Sequence, residues 1–291
     1  MADKHEKEID ELSGVDTTGH EWDGIKELNN PLPKWWLWTF YGTVIWALLY
    51  TIAYPSWPLI DKAFGGVLGY SSRAQVEQEL ARHAEAQKPW LDRIAALDLP
   101  EIASDAELAQ FANAGGAAIF RTYCSQCHGA GAQGAKGYPN LNDDDWLWGG
   151  DLEAIHYTIN HGVRAPEDED TRDSVMPAFG DGTLDKAQIA QVIEYVRQIS
   201  GQEHDADLAA AGAEVFADNC AACHGEDGKG NRDIGAPNLT DHIWLYGGDR
   251  QALLETLLKG RAGMMPAWGK RLTDAQVKQV ALYVHQLGGG E

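Results

Sequence analysis

Cys124-x-x-Cys127-His128 and Cys220-x-x-Cys223-His224 together use every cysteine of the 291-residue chain. Cys-x-x-Cys-His is the attachment signature of a c-type haem. On one helical turn the two thiols share a face and reach both vinyl groups, and the adjacent histidine falls beneath the iron as an axial ligand. A zinc site would join the two pairs, but they lie 96 residues apart in separate copies of a repeat. A thioredoxin-like disulfide wants a βαβ context, which the pattern lacks.

The opposite axial ligand follows from scarcity. Of four methionines, Met176 and Met265 stand at equivalent places, each followed by a proline, Pro177 and Pro266. Methionine is ordinarily a gap-filler, but scarce methionine at a repeated position reads as ligation. Met264 is the second choice in the second copy. The following proline fixes its own φ and stiffens the loop. His/Met ligation raises the reduction potential and leaves iron no open position, so such a site passes electrons and makes no bonds. The carbonyls of Pro139 and Pro237 are candidate acceptors for the second ring N–H of His128 and His224. Trp146 and Trp244 are candidate cavity walls, and Arg164 and Arg261 candidate partners for propionates. His156, His161, His242 and His285 have no counterpart in the repeat and read as non-ligands.

These residues are carried by a tandem duplication. Gly116 and Phe120 recur as Gly212 and Phe216, Pro139-Asn140-Leu141 as Pro237-Asn238-Leu239, and Trp146-Leu147-Trp148-Gly149-Gly150-Asp151 as Trp244-Leu245-Tyr246-Gly247-Gly248-Asp249. The spacing shortens before the second Met-Pro, which gives the first copy about nine extra residues, placed in the acidic run around Glu167 to Asp173. Each copy closes on a helix, capped by Asp185 with Gln188 or by Thr273 with Gln276. Ile189, Val192, Ile193 and Val196 form an apolar stripe, echoed by Val277, Val280, Ala281 and Val284. Strand-like alternation of similar strength is missing. The expectation is all-α, with one small helical domain per copy over 111–201 and 202–291, and a bulky apolar cofactor serving as core material.

Trp35 to Tyr54 is uncharged over twenty residues, which at 1.5 Å rise matches a bilayer core of about 30 Å. Aromatic residues crowd both ends, as in interfacial belts. The long polar segment ahead of it, 1–34, is unlike a cleavable signal, so 35–57 is read as an anchor helix. The basic residues on its two sides balance and leave orientation open. The stretch 58–110 reads as a helical connector, with capping boxes at Ser72/Gln75 and Ser104/Glu107, a break at Pro89, and His83 as an ordinary surface histidine.

The formal net charge of −21 argues against nucleic-acid binding, which needs a basic surface to meet phosphate. The acidic excess is largest over residues 101–200; from charge alone it reads first as a well-solvated surface, and second as a field that steers a basic partner.

Residues 110–290, through CSQCHG, CAACHG, MPAFG and MPAWG, resemble two class I cytochrome c domains in tandem. EWDGIKELNNPLPKWWLWTFYGTVIWALLYTIAYPSWP, at residues 21–58, closely resembles the dihaem subunit III of cbb3-type cytochrome c oxidases. The resemblance implies two covalent haems c and one pass through the bacterial inner membrane. It places the N-terminus in the cytoplasm and the haem domains in the periplasm. Electrons would run from a donor cytochrome c to the monohaem subunit and then to the catalytic subunit, which reduces oxygen and pumps protons. A free membrane-anchored dihaem shuttle is the alternative. A dihaem peroxidase would need an accessible sixth position, against which Met176 and Met265 argue.

Overall fold

The structure, a computed structural model, describes residues 8–291. It divides into two compact units, one ending at Ala84 and the other spanning Glu85–Glu291.

The first unit opens with a hairpin of β1 (Thr17–Trp22) and β2 (Ile25–Leu28), with Trp22 opposite Ile25. Asp23 and Gly24 make the turn at φ 48° and 84°. Two successive positive φ values are what a two-residue hairpin of the Asp-Gly kind requires. This hairpin departs from the all-helical expectation. Helix α1 (Lys34–Ala53) follows Pro33, and its mean hydropathy over the most apolar window is 1.3. It ends short of the expected residue 57. Pro55 forces its predecessor out of helical geometry, and Tyr54 is extended at φ −114°, ψ 159°. Thr39, Thr43 and Thr51 return their hydroxyls to the helix carbonyls of Trp35, Phe40 and Leu48, which removes the cost of carrying them into hydrocarbon.

Helix α2 (Ser72–Ala96) leads from the first unit into the second. Ser71, not Ser72, faces its first turn, its Oγ accepting from the Ala74 N–H at 3.3 Å. Pro89 lies inside α2 and does not break it. The carbonyl it deprives of a partner belongs to exposed Glu85, where water can substitute. Then come α3 (Leu99–Ser104) and α4 (Ala106–Ile119). Asp105, not Ser104, caps α4, accepting from the Leu108 N–H at 3.1 Å.

In the first copy α4 runs through a π-helical turn (Phe120–Cys124) into α5 (Ser125–His128), followed by α6 (Leu152–His161) and α7 (Lys186–Ile199). The second copy supplies α8 (Ala206–Asn219), α9 (Ala221–His224), α10 (Arg250–Lys259), a 3₁₀ turn (Trp268–Lys270) and α11 (Asp274–His285). Both closing helices carry the expected caps, with Asp185 accepting from Gln188 and Thr273 from Gln276.

The helices pair across the copies. α8 lies on α7, and α4 lies on α11. Six residues join α7 to α8, and so short a link favours antiparallel neighbours. α4 is left to cover the equivalent face of α11. Both crossings depend on glycine. A Cβ on Gly116 would stand 2.2 Å from the Gln279 carbonyl oxygen, and one on Gly212 2.1 Å from that of Gln191. One core therefore joins Val192, Ile193 and Val196 of the first copy to Phe216 and Leu253 of the second. A second joins Phe120 and Ile155 to Val277, Val280 and Val284, and a third packs Ile94, Leu99 and Ile102 of the connector against Leu108 and Leu282. The small helical domain expected of each copy thus packs its apolar stripe against residues of the other copy.

Candidate haem sites

Each Cys-x-x-Cys-His motif forms a short helical turn ended by a left-handed glycine, Gly129 at φ 84° and Gly225 at φ 79°. The chain then loops back beneath its own histidine. The Gly134 N–H donates to the His128 carbonyl at 2.7 Å, as Gly230 does to His224 at 2.7 Å. His128 Nδ1 lies 3.0 Å from the Pro139 carbonyl, and His224 Nδ1 lies 3.1 Å from that of Pro237. A carbonyl only accepts, so Nδ1 carries the proton and Nε2 keeps its lone pair. Burial lowers the pKa of both rings, the carbonyl bond opposing it in part. Both histidines are thus held as neutral, oriented ligands. Burial, then the neighbouring cysteine, pushes the Cys124 and Cys220 thiols up to about 11.

An apolar cavity lies beside each motif. The His224 cavity is bounded by Cys220, Cys223, Phe216, Val192, Val196 and Met176. The His128 cavity is bounded by Cys124, Cys127, Phe120, Val280, Val284 and Met265, with Met264 also on its wall. The methionines are crossed relative to the sequence reading, which gave each copy its own. The reason is in the backbone. Met176 and Arg261 bond reciprocally, N–H to carbonyl, both at 3.0 Å, and Val163 and Met265 do so at 2.9 Å. Left-handed Gly260 and Gly162 admit these loops, since a Cβ on either would stand 2.4 Å from the Met176 or Met265 carbonyl oxygen.

The nine extra residues of the first copy fall between Gly162 and Arg172, earlier than expected. In the second copy Arg261 does two things: its backbone holds Met176, and its Nε donates to Thr256 Oγ1 at 2.9 Å while the guanidinium covers Tyr246. In the first copy these tasks are divided. Val163 holds Met265, while Arg172 donates to Thr158 Oγ1 at 2.9 Å and covers Trp148. Arg172 is thus the counterpart of Arg261. Its spacing to Met176 matches that of Arg261 to Met265, a signal the sequence reading passed over when it paired Arg261 with Arg164.

Trp146 and Trp244 line their respective cavities. The Trp146 N–H is engaged by the Gly289 carbonyl, so it is already satisfied. His156, His161, His242 and His285 line neither cavity. His161 instead faces Asp168 at 3.0 Å.

The donor set fits a covalently attached haem in each cavity. Paired thiols, a neutral imidazole and a thioether line each cavity, within apolar surroundings. Arg261 Nη2 is buried without a hydrogen-bond partner in the His224 cavity, which suits a carboxylate of the ligand.

Residues 14–61 match the N-terminal domain of cytochrome oxidase-cbb3, FixP. Residues 111–196 and 207–284 each match the family described as cytochrome c oxidase, cbb3-type, subunit III. A cbb3-type cytochrome c oxidase subunit CcoP of Cereibacter sphaeroides is 60% identical over 94% of this chain and 95% of its own. The subunit FixP of Sinorhizobium medicae is 55% identical over the full length of both. The subunit CcoP of Rhodobacter capsulatus is 54% identical over 95% of this chain and 97% of its own. With both copies and the N-terminal segment accounted for, the chain belongs to the subunit III family of cbb3-type cytochrome c oxidases.

Proposed function

We propose that this chain relays electrons within a cbb3-type oxidase through two covalent haems c, one ligated by His128 and Met265 and the other by His224 and Met176. The observation that carries the reading is the pair of apolar cavities, each lined by a Cys-x-x-Cys-His motif together with a methionine of the opposite copy. When bound, each haem supplies an iron that alternates between two oxidation states. The residues of the chain do the rest. Pro139 and Pro237 orient the histidines, the cross-copy loops hold the methionines, and the apolar walls exclude water. Filling the sixth position on both irons would keep oxygen reduction elsewhere in the complex.

Asp145, Leu147, Arg164, Leu245, Tyr246 and Gly263 line both cavities. So close an approach supports passage of an electron from one haem to the other. Helix α1 anchors the chain, with the N-terminus cytoplasmic and the haem domains periplasmic, where haem c is attached. The donor is a cytochrome c with a basic docking face, drawn by the acidic surface of residues 101–200, so electron uptake slows as salt rises. The catalytic and monohaem subunits are the acceptor side.

The test is a pyridine haemochrome spectrum of the tagged chain and whatever co-purifies in mild detergent. The expected result is two haems c per chain together with haem b. Haem c alone would favour a free shuttle, and no covalent haem would overturn the reading.

A further inference from the structure

Arg164 belongs to the insertion, so the second copy has no equivalent of it. Its backbone is left-handed at φ 53°, a conformation for which glycine is the default residue. An arginine held there points to the side chain as the reason. Its Nε donates to the Gly263 carbonyl at 2.6 Å, and its Nη1 donates to the Ser174 carbonyl. Ser174 and Gly263 are themselves equivalent, each two residues before its methionine. The guanidinium therefore bridges matching points of the two copies. It also lines both cavities. Nη2 has no hydrogen-bond partner and the guanidinium no ion pair among the described residues, while burial works against its charge. Arg261, by contrast, lines the His224 cavity alone.

We propose that Arg164 is a shared cationic site for the carboxylate groups of both haems, a single charge that raises the two reduction potentials together. The proposal rests on the reading that both cavities hold haem. A fixed positive charge in a weakly screened wall stabilises the electron-rich, reduced state of whatever lies beside it. Lying between equivalent points, it acts on both irons, whereas Arg261 acts on one.

The test is an optical redox titration of the full-length chain, loaded with haem and purified in detergent. Arg164→Gln is expected to lower both midpoint potentials, and Arg261→Gln only one. Arg164→Lys, which keeps the charge but not the planar fork, is expected to hold both nearer the wild-type values. A shift in one potential, in neither, or an equal fall in the lysine and glutamine variants overturns the proposal. Should Arg164→Gln fail to load, Arg164→Lys decides: a fall shared by both potentials supports a shared site, and a fall confined to one or absent from both overturns it. Haem per chain in the unaltered protein is read separately. Absent haem defeats the functional reading, while loaded haems indifferent to Arg164 defeat this inference alone.

Discussion

Met176 and Arg261 exchange both backbone hydrogen bonds, each N–H donating to the other's carbonyl at 3.0 Å. They come from different copies of the repeat, so the loop that presents Met176 is held by the copy that carries His224. In a chain with Cys124 and Cys127 changed to alanine, only the second motif can attach haem. There, Met176→Ala is expected to open the remaining iron to carbon monoxide, and Met265→Ala to leave it closed. Carbon monoxide difference spectra of the reduced variants check this. Self-contained copies would give the reverse result.

The helix crossings set a second expectation. Alanine at Gly116 places a methyl 2.2 Å from the Gln279 carbonyl oxygen and 2.7 Å from Tyr283 Cβ. Neither neighbour is a flexible chain end, so α4 must move off α11. Gly116→Ala is expected to cost about 1–3 kcal/mol, the usual range for overpacking, and Gly212→Ala a similar amount at the α7–α8 crossing. Gly42→Ala on α1 meets nothing within 4 Å and serves as the neutral control. Guanidinium titrations of the loaded chain, followed by haem absorbance, measure all three.

Lys278 ties the connector to α11. Its Nζ donates to the carbonyls of Ala95 and Leu97, both at 3.0 Å, and to that of Ile94 at 3.4 Å. These are carbonyls at the end of α2, where the helix dipole favours a cation. Lys278→Met preserves the aliphatic stem but leaves them without the donor. The expected loss is about 1–2 kcal/mol, the value of a few charge-assisted bonds at a partly buried helix end. Denaturant unfolding against Lys88→Met, whose exposed pair with Asp92 contributes about 0.3–0.5 kcal/mol, separates the cap from simple loss of charge.

Much of the site is local chemistry and can be read from spacing. The two motifs, the two Met-Pro pairs, the carbonyls of Pro139 and Pro237 and the caps at Asp185 and Thr273 all depend on residues close in the chain. Partner choice is different. Val192 and Val280 occupy equivalent stripes, and periodicity says that each stripe is buried without saying which helix buries it. Only the six-residue link from α7 to α8 distinguishes the arrangements. The insertion was blurred for a related reason: Val163 takes the backbone role of Arg261 and Arg172 its side-chain role, so the two roles point to different positions. Pro89 shows the opposite failing, a local signal overridden because the carbonyl it disturbs belongs to exposed Glu85.

Asp145 supplies a pH signature. Burial, with help from Asp241 and Asp143 and against Arg232, pushes its carboxyl up to about 6 from the ordinary 3.8. The unfolded chain therefore loses this proton first as pH rises. Between about pH 4 and 6 the folded state binds more protons, so stability falls as pH increases across that window. Above it the folded protein carries the full cost of a charged carboxylate beside two others. Asp145→Asn is expected to match the unaltered protein below about pH 4 and to exceed it by about 1 kcal/mol above about pH 7, a figure kept small because solvent screens the half-open site. Carboxylates with lowered pKa values, such as Asp105, lose stability on acidification in both proteins and cancel in the difference. Paired unfolding curves at the two pH extremes decide the matter, and a variant with no advantage at neutral pH would contradict it.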